Sequence, residues 1–199
     1  MSSIFLETIK AVDGEILNIS YHQERYESVL KKFNIKHSQN LKELLTPPKI
    51  GTYRCRLTYD LSKEPHAFNV TYHKYEKREI ETLRLVYNDN IEYSLKSACR
   101  DELDALYKLR GGCDDVLIVK NSLITDTTIA NIAFFDSKRW VTPKSPLLIG
   151  TTRERLLREG KIFQESIYVS DLKNFSKVAL MNAMIDFDII TKNIKEIFC

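Results

Sequence analysis

The sequence predicts an α+β fold built as two domains, and three observations carry that prediction. A strand, a tight turn, a second strand and an amphipathic helix succeed one another up to Phe33. Residues 50–60 alternate apolar and polar side chains with the period of a strand. Beyond Tyr87 the chain reads as short strands with two or three helices, without the regular alternation a parallel α/β sheet requires.

In chain order, Ile4 to Val12 is expected to be a strand, with Asp13-Gly14 as the hairpin turn into Glu15 to Leu17. Ser20 opens a helix, with Gln23 three residues on as in a capping box. Residues 21–33 then carry the helical period. Ser38 to Leu45 is a second, shorter helix, stopped by Pro47-Pro48. In the strand at 50–60, Tyr53, Cys55, Leu57 and Tyr59 share one face, and Arg54, Arg56 and Thr58 the other. Residues 67–75 and 80–87 also read as strands. Asn88-Asp89-Asn90 is turn chemistry beside a domain boundary, giving a small α+β domain at 1–86 and a larger barrel-like one at 87–199. In the larger domain a helix is expected from Ser97 to Leu109, closed by Gly111-Gly112. Two hairpins follow, at 116–125 with a Lys120-Asn121 turn and at 132–142. A helix begins after Gly150, and residues 162–169 and 177–181 are late strands.

Composition narrows the function. The 199 residues are 43% hydrophobic and 29% charged, as in ordinary globular proteins. The net charge is +3, with Lys and Arg interleaved among Asp and Glu, which argues against a nucleic-acid surface. Cys55, Cys99, Cys113 and Cys199 form no CxxC pair and no zinc spacing, so free thiols and no metal site are expected. Glu7 and Lys10 interrupt the only apolar start, and no run is long enough to span a membrane. A cytoplasmic protein is expected.

Four segments carry chemistry. Lys96, in Tyr93-Ser94-Leu95-Lys96-Ser97, stands at the end of a strand and the mouth of a helix. An apolar pocket would make it a nucleophile; a solvated lysine fits the same pattern. Asp126 closes a strand ahead of Thr127-Thr128-Ile129-Ala130-Asn131, as a partner for a pyridine nitrogen or as the cap of an Asx-turn. Gly150-Thr151-Thr152 at a helix start is either an anion site or a plain N-cap. Arg25, beside His22 on the first helix, is either a phosphate clamp or a surface arginine in a charge network.

In this order the segments resemble the class IV aminotransferase family, the fold-type IV (D-amino-acid aminotransferase-like) pyridoxal-phosphate enzymes. Phe5 to Lys10 with Asp13-Gly14 is similar to the family's "F-E-T-I/L-R … D-G" hairpin, and His22 with Arg25 to its "H-x-x-R" helix. Lys96 with Arg100 resembles "K-x-x-N-R", and residues 114–117 resemble "D-E-A-L". Asp126 with Asn131 has the spacing of "E-x-x-x-x-N", and residues 148–153 resemble "L-x-G-I-T-R". Met181-Asn182-Ala183-Met184 looks most like the "C-N-A-L" of the 4-amino-4-deoxychorismate lyase branch.

The resemblance implies pyridoxal 5'-phosphate in a cleft between two domains, a homodimer, and a small amino-acid-like or chorismate-derived substrate. It implies Lys96 as the Schiff-base lysine and proton shuttle, and Asp126 against the pyridine nitrogen. Arg25, Thr151 and Thr152 would hold the phosphate. Arg56 and Arg54 would face a substrate carboxylate, with Tyr93 near the ring. Three departures stand out. The chain starts at the hairpin, without the family's N-terminal lead. Asp126 replaces the usual glutamate. Ile129 replaces a glycine beside the cofactor, so its side chain either narrows the pocket or turns away. The implied activities are a lyase releasing pyruvate and 4-aminobenzoate on the folate pathway, an aminotransferase on branched-chain or D-amino acids, or an inactive binding protein.

Overall fold

A computed structural model describes residues 3–63 and 66–198. The chain forms two compact units. One holds the residues up to Lys77 together with Leu95–Cys99; the other holds Arg78–Ser94 and the residues from Arg100 onward.

The first unit is a four-stranded antiparallel sheet with one long helix. Strand β1 (Ile4–Val12) turns into β2 (Glu15–Ile16), and β3 (Thr52–Asp60) and β4 (Ala67–Lys74) complete the order β2-β1-β3-β4. Asp13 and Gly14 both take positive φ, 50° and 87°, as a two-residue hairpin turn requires. The Asp13 carboxylate accepts the Gly51 N–H at 2.8 Å, which ties the turn to the start of β3.

Helix α1 (Ile19–Lys32) buries His22, Tyr26, Val29 and Leu30, one stripe at helical spacing. Its start differs from expectation. Asn18, left-handed at φ 54°, precedes the first turn, and no side chain caps it. Gln23 forms no capping box. Its amide instead reaches Glu27 and the Gln39 carbonyl and accepts the Leu41 N–H, so tertiary partners claimed the side chain. The expected helix at 38–45 is only a 3-10 turn, Leu41–Leu44.

The sheet's buried face and α1 enclose Phe5, Ile9, Ala11, Tyr26, Val29, Leu30, Cys55, Leu57 and Tyr59. Tyr26 meets Tyr59 edge-on at 4.9 Å. The Tyr59 hydroxyl has no hydrogen-bond partner among the described residues. Burial, first, and then the nearby Glu7 charge push its pKa up. An unpaired buried hydroxyl costs about 1–3 kcal/mol. Tyr59→Phe is therefore expected to raise the melting temperature by a few degrees, read by thermal denaturation.

The second unit contains the order β10-β9-β8-β7-β6-β5, with β11 paired to β8 and to β12. Its strands are β5 (Leu83–Tyr87), β6 (Asp115–Lys120), β7 (Leu123–Thr127), β8 (Asn131–Phe135), β9 (Trp140–Pro143), β10 (Ile162–Glu165), β11 (Lys177–Asn182) and β12 (Asp186–Ile190). β5 pairs in parallel with β6, which assigns it to this unit, ahead of the 86/87 boundary that the turn residues suggest. The β6–β7 turn uses Asn121 and Ser122, φ 50° and 65°, one residue later than expected. The core gathers Leu117, Val119, Ile124, Ile132, Phe134, Val178 and Leu180.

Helices α2 (Asp101–Lys108), α3 (Thr151–Arg158) and α4 (Ile194–Ile197) complete the unit. α2 begins at Asp101, not at Ser97, because Ser97 is held in a bridge to Phe5 of β1. Cys55 and Cys99 form no disulfide, whereas Cys113 is disulfide-bonded, which corrects the expectation for that residue. Among the described residues no helix is long and apolar enough to cross a membrane.

Candidate active site

The first unit places Glu7, His22, Arg25 and Lys96 in one electrostatic neighbourhood. Glu7 points from β1 toward α1 and is fully buried. Its carboxylate accepts Arg25 Nε at 2.9 Å and Arg25 Nη2 at 2.5 Å, and His22 Nδ1 lies 2.6 Å away. Burial alone would raise the Glu7 pKa, but Arg25 and His22 outweigh it and hold it at about 2. Burial lowers the His22 pKa against the pull of Glu7, and the Arg25 and Lys96 charges add to that lowering. His22 is thus a neutral ring whose Nδ1–H donates to a buried carboxylate. Arg25 is fixed in place by both contacts, and its Nη1 takes no part in the pairing.

Glu7 is the residue that sequence reasoning passed over. It occupies an inward position on an otherwise apolar face of β1, so a charge where the alternation calls for an apolar side chain, within the hairpin motif, was the available signal.

Lys96 is half-buried and does not sit at a helix mouth. The Ser97 N–H donates to the Leu95 carbonyl at 2.7 Å, so Lys96 is the central residue of a three-residue turn. The segment is pinned to the edge of β1 by Leu6 N–H to the Lys96 carbonyl and Ala98 N–H to the Ile4 carbonyl, both 2.9 Å. Arg54 and Arg56 lie on the sheet face opposite Glu7, because the buried residues of β3 are Cys55, Leu57 and Tyr59.

The second unit places Asp126, Asn131, Thr151 and Thr152 around one corner. Asp126 and Asn131 are paired across β7 and β8. Asp126 is almost fully buried, accepting Asn131 Nδ2 at 2.7 Å and the Leu148 N–H at 2.9 Å. Burial pushes its pKa up to about 6, against the lowering effect of these donors and of Arg153. A carboxylate so desolvated has most to gain from a cationic hydrogen-bond donor. The donor set therefore fits a protonated pyridine nitrogen, even though Asp is one methylene shorter than Glu.

Thr151 and Thr152 open α3 and are buried. Neither hydroxyl is engaged by a described residue, which leaves two donors at a helix N-terminus and fits a phosphate. Gly150 precedes them for a steric reason. A Cβ there would lie 2.0 Å from Asn131 Oδ1. Gly150→Ala must displace the amide that orients Asp126. It is expected to cost about 3 kcal/mol, by analogy with overpacked cores, read by chemical denaturation.

The loop after Asp126 is tied down from several sides. Thr128 Oγ1 donates to Asp115 at 2.8 Å, and Arg100 Nη2 donates to the Thr128 carbonyl at 2.8 Å. Thr127 Oγ1 accepts the Ala130 N–H at 3.0 Å, and Asn182 Nδ2 donates to the Ile129 carbonyl at 3.2 Å. Ile129 itself is 43% exposed, so its side chain is not packed into the core of this unit. Tyr93 packs beside the cluster of Val86, Ile91, Leu103 and Val116, with the Arg100 guanidinium 6.0 Å from its ring.

The sequence and the fold both have known relatives. The model of the amino-transferase class IV family matches residues 5–192. A protein of Haemophilus influenzae, itself uncharacterized, is 38% identical over 184 residues, covering 89% of this chain and 96% of that one. A crystal structure of a protein from Haemophilus somnus, named a "putative 4-amino-4-deoxychorismate lyase", is 34% identical with a TM-score of 0.84, covering 92% of this chain and 97% of that one. The branched-chain amino acid aminotransferase of Escherichia coli shares the fold at 13% identity, with a TM-score of 0.75 over 100% of this chain and 80% of that one. With its family motifs in order and its fold shared, the chain belongs to the class IV aminotransferases, a family of pyridoxal-phosphate-dependent enzymes.

Proposed function

We propose that the protein is a pyridoxal-phosphate-dependent lyase that converts 4-amino-4-deoxychorismate to 4-aminobenzoate and pyruvate, in the cytoplasm and as a homodimer. The observation that carries the cofactor is the buried Asp126, whose pKa of about 6 marks a carboxylate in want of a cationic partner. The lyase branch is favoured by the likeness to the Haemophilus somnus protein. A Schizosaccharomyces pombe protein named a "putative aminodeoxychorismate lyase" adds support, at 37% identity over 75 residues, 35% of this chain and 32% of that one.

In this reading Asp126, its carboxylate fixed by Asn131 and the Leu148 N–H, would hold a protonated pyridine nitrogen. The Thr151 and Thr152 hydroxyls, the first-turn N–H groups of α3 and Arg25 hold the phosphate. Bound there, pyridoxal phosphate supplies an electron sink for the charge left when a substrate proton departs. Lys96 would hold the cofactor through its side-chain amine and would move the substrate proton as general base and acid. Arg56, with Arg54, would take a substrate carboxylate, and Tyr93 would stand near the ring.

The test is the visible spectrum with added pyridoxal phosphate, borohydride reduction and peptide mapping, followed by assays for 4-aminobenzoate and for pyridoxamine phosphate. A label on Lys96 with 4-aminobenzoate formed supports the lyase. A label on Lys96 with pyridoxamine phosphate accumulating on an amino donor replaces it by an aminotransferase. No label on Lys96 sinks both, leaving a binding protein. Light scattering on the purified protein reads the dimer, and a monomer mass refutes it.

A further inference from the structure

One buried carboxylate has no part in the chemistry proposed above. Asp115, the first residue of β6, is fully buried. It accepts the Val116 N–H at 2.8 Å and the Thr128 hydroxyl, which meets both of its oxygens, at 2.8 and 3.0 Å. Among the described residues no cation is hydrogen-bonded to it. Arg78 contributes only its field, since its guanidinium donates to the Asp114 carbonyl. A carboxylate desolvated without a cation costs stability, so the fold carries a penalty at this position.

Strand register shows what the carboxylate does there. The β6–β7 ladder ends at the Leu117–Thr127 pair. Past that pair the chain turns through residues 127–130 into β8, and the turn closes on the Asp126–Asn131 pair. Asp115 lies two residues beyond the end of the ladder on the β6 side, where backbone pairing no longer reaches the turn. Its side chain takes over by gripping the Thr128 hydroxyl. The Thr128 and Ile129 carbonyls are held too, by Arg100 and Asn182, but those bonds are partly or fully open to water. The Asp115–Thr128 bond is wholly buried, so it is the strongest of the three ties. Asp126 and Asn131 also share Leu148, through its N–H and its carbonyl. The turn between them must keep one shape for that arrangement to persist.

We propose that Asp115 is a positioning residue for the Asp126–Asn131 pair, fixing through the Thr128 hydroxyl the direction in which the Asp126 carboxylate points. The inference rests on the proposed function for what Asp126 points at, a cationic ring nitrogen, and not for the link itself.

The test has two readouts on three variants. Thr128→Val removes the hydroxyl at nearly constant shape, whereas Thr128→Ser and Asp115→Asn each keep a hydrogen bond between the two positions. In the cofactor-free protein, the Leu148 N–H is expected to exchange about tenfold faster in Thr128→Val, with the amides of β11 unchanged. In titration calorimetry, the unaltered protein is expected to bind pyridoxal phosphate at least about tenfold more tightly than its 1-deaza analogue, which carries C–H in place of the ring nitrogen. Thr128→Val should erase most of that preference and leave the affinity for inorganic phosphate unchanged, while Thr128→Ser and Asp115→Asn retain it. A merely structural role would weaken both cofactors together. Thermal melts confirm folding. If Thr128→Val does not fold, the Asp115→Asn/Thr128→Val double variant, which lacks the stranded charge, carries the same expectations. Unchanged Leu148 exchange in the folded valine variant overturns the inference, as does a ring-nitrogen preference that survives it. Equal affinity of the unaltered protein for the two cofactors, with the exchange effect present, refutes the nitrogen contact of Asp126 and upholds the link.

Discussion

Lys96→Ala is expected to abolish turnover and the borohydride label together while leaving the fold intact. The expected loss in kcat is at least about a thousandfold, within the range for removal of a positioned acid–base group and larger if covalent attachment is also rate-determining. The fold should survive because what ties this segment to β1 is backbone. The Lys96 carbonyl and the Ala98 N–H make those bonds, and alanine keeps both. Circular dichroism and melting temperature check the fold, and steady-state assay with reductive labelling checks the chemistry. Full turnover in the alanine variant would remove Lys96 from its proposed role.

The largest stability effect is expected at Glu7. Glu7→Ala strands the Arg25 guanidinium and the His22 ring in the core of the first unit, and breaking a buried pair costs about 3–5 kcal/mol. Against a typical total of about 5–15 kcal/mol, that loss suffices to unfold much of the protein at moderate temperature. Denaturant titration at pH 7 reads it directly.

The same cluster predicts an acid limit. The folded pKa of Glu7, about 2, lies below the ordinary glutamate value of 4.5. Its contribution is present above pH 4.5 and is lost as pH falls from there toward 2, worth about 3 kcal/mol in all. His22 acts in the same direction. Its folded pKa is lowered from 6.5, so the unfolded chain takes up the proton first as pH falls below that value. Asp126 opposes them in the cofactor-free protein. Its pKa is raised from 3.8 to about 6, so its contribution is full below pH 3.8 and lost as pH rises through 6. Pyridoxal phosphate should offset that loss above pH 6, and melting curves with and without cofactor across pH 4–8 would show the gap widening with pH.

Much of the fold was legible because local chemistry and tertiary structure agree. Asp13-Gly14 demands a hairpin, and the alternation from Tyr53 to Tyr59 matches a strand buried on one face. The failures share a cause. Gln23 has the spacing of a cap, and Ser97 to Arg100 reads as helix, but each is claimed by a partner distant in sequence. Strand β12 was missed because Asp186 and Asp188 interrupt its apolar residues, and its pairing with β11 supplies what the pattern lacks. At the site, Asp126, Thr151 and Thr152 could be picked out by type and spacing. The role of Gly150 could not, since it depends on the Asn131 amide two elements away.

The pinning of residues 95–98 to β1 has a consequence for synthesis. The edge of β1 at Ile4 to Leu6 gains its partner only when the ribosome has added about ninety further residues, a long-range closure of the slow kind. Until then the nascent first unit displays an unpaired strand edge, the feature on which chains misassemble. A fragment ending at Lys77 would keep that edge permanently. Grafting residues 95–98 onto such a fragment through a short glycine-serine linker should restore its solubility.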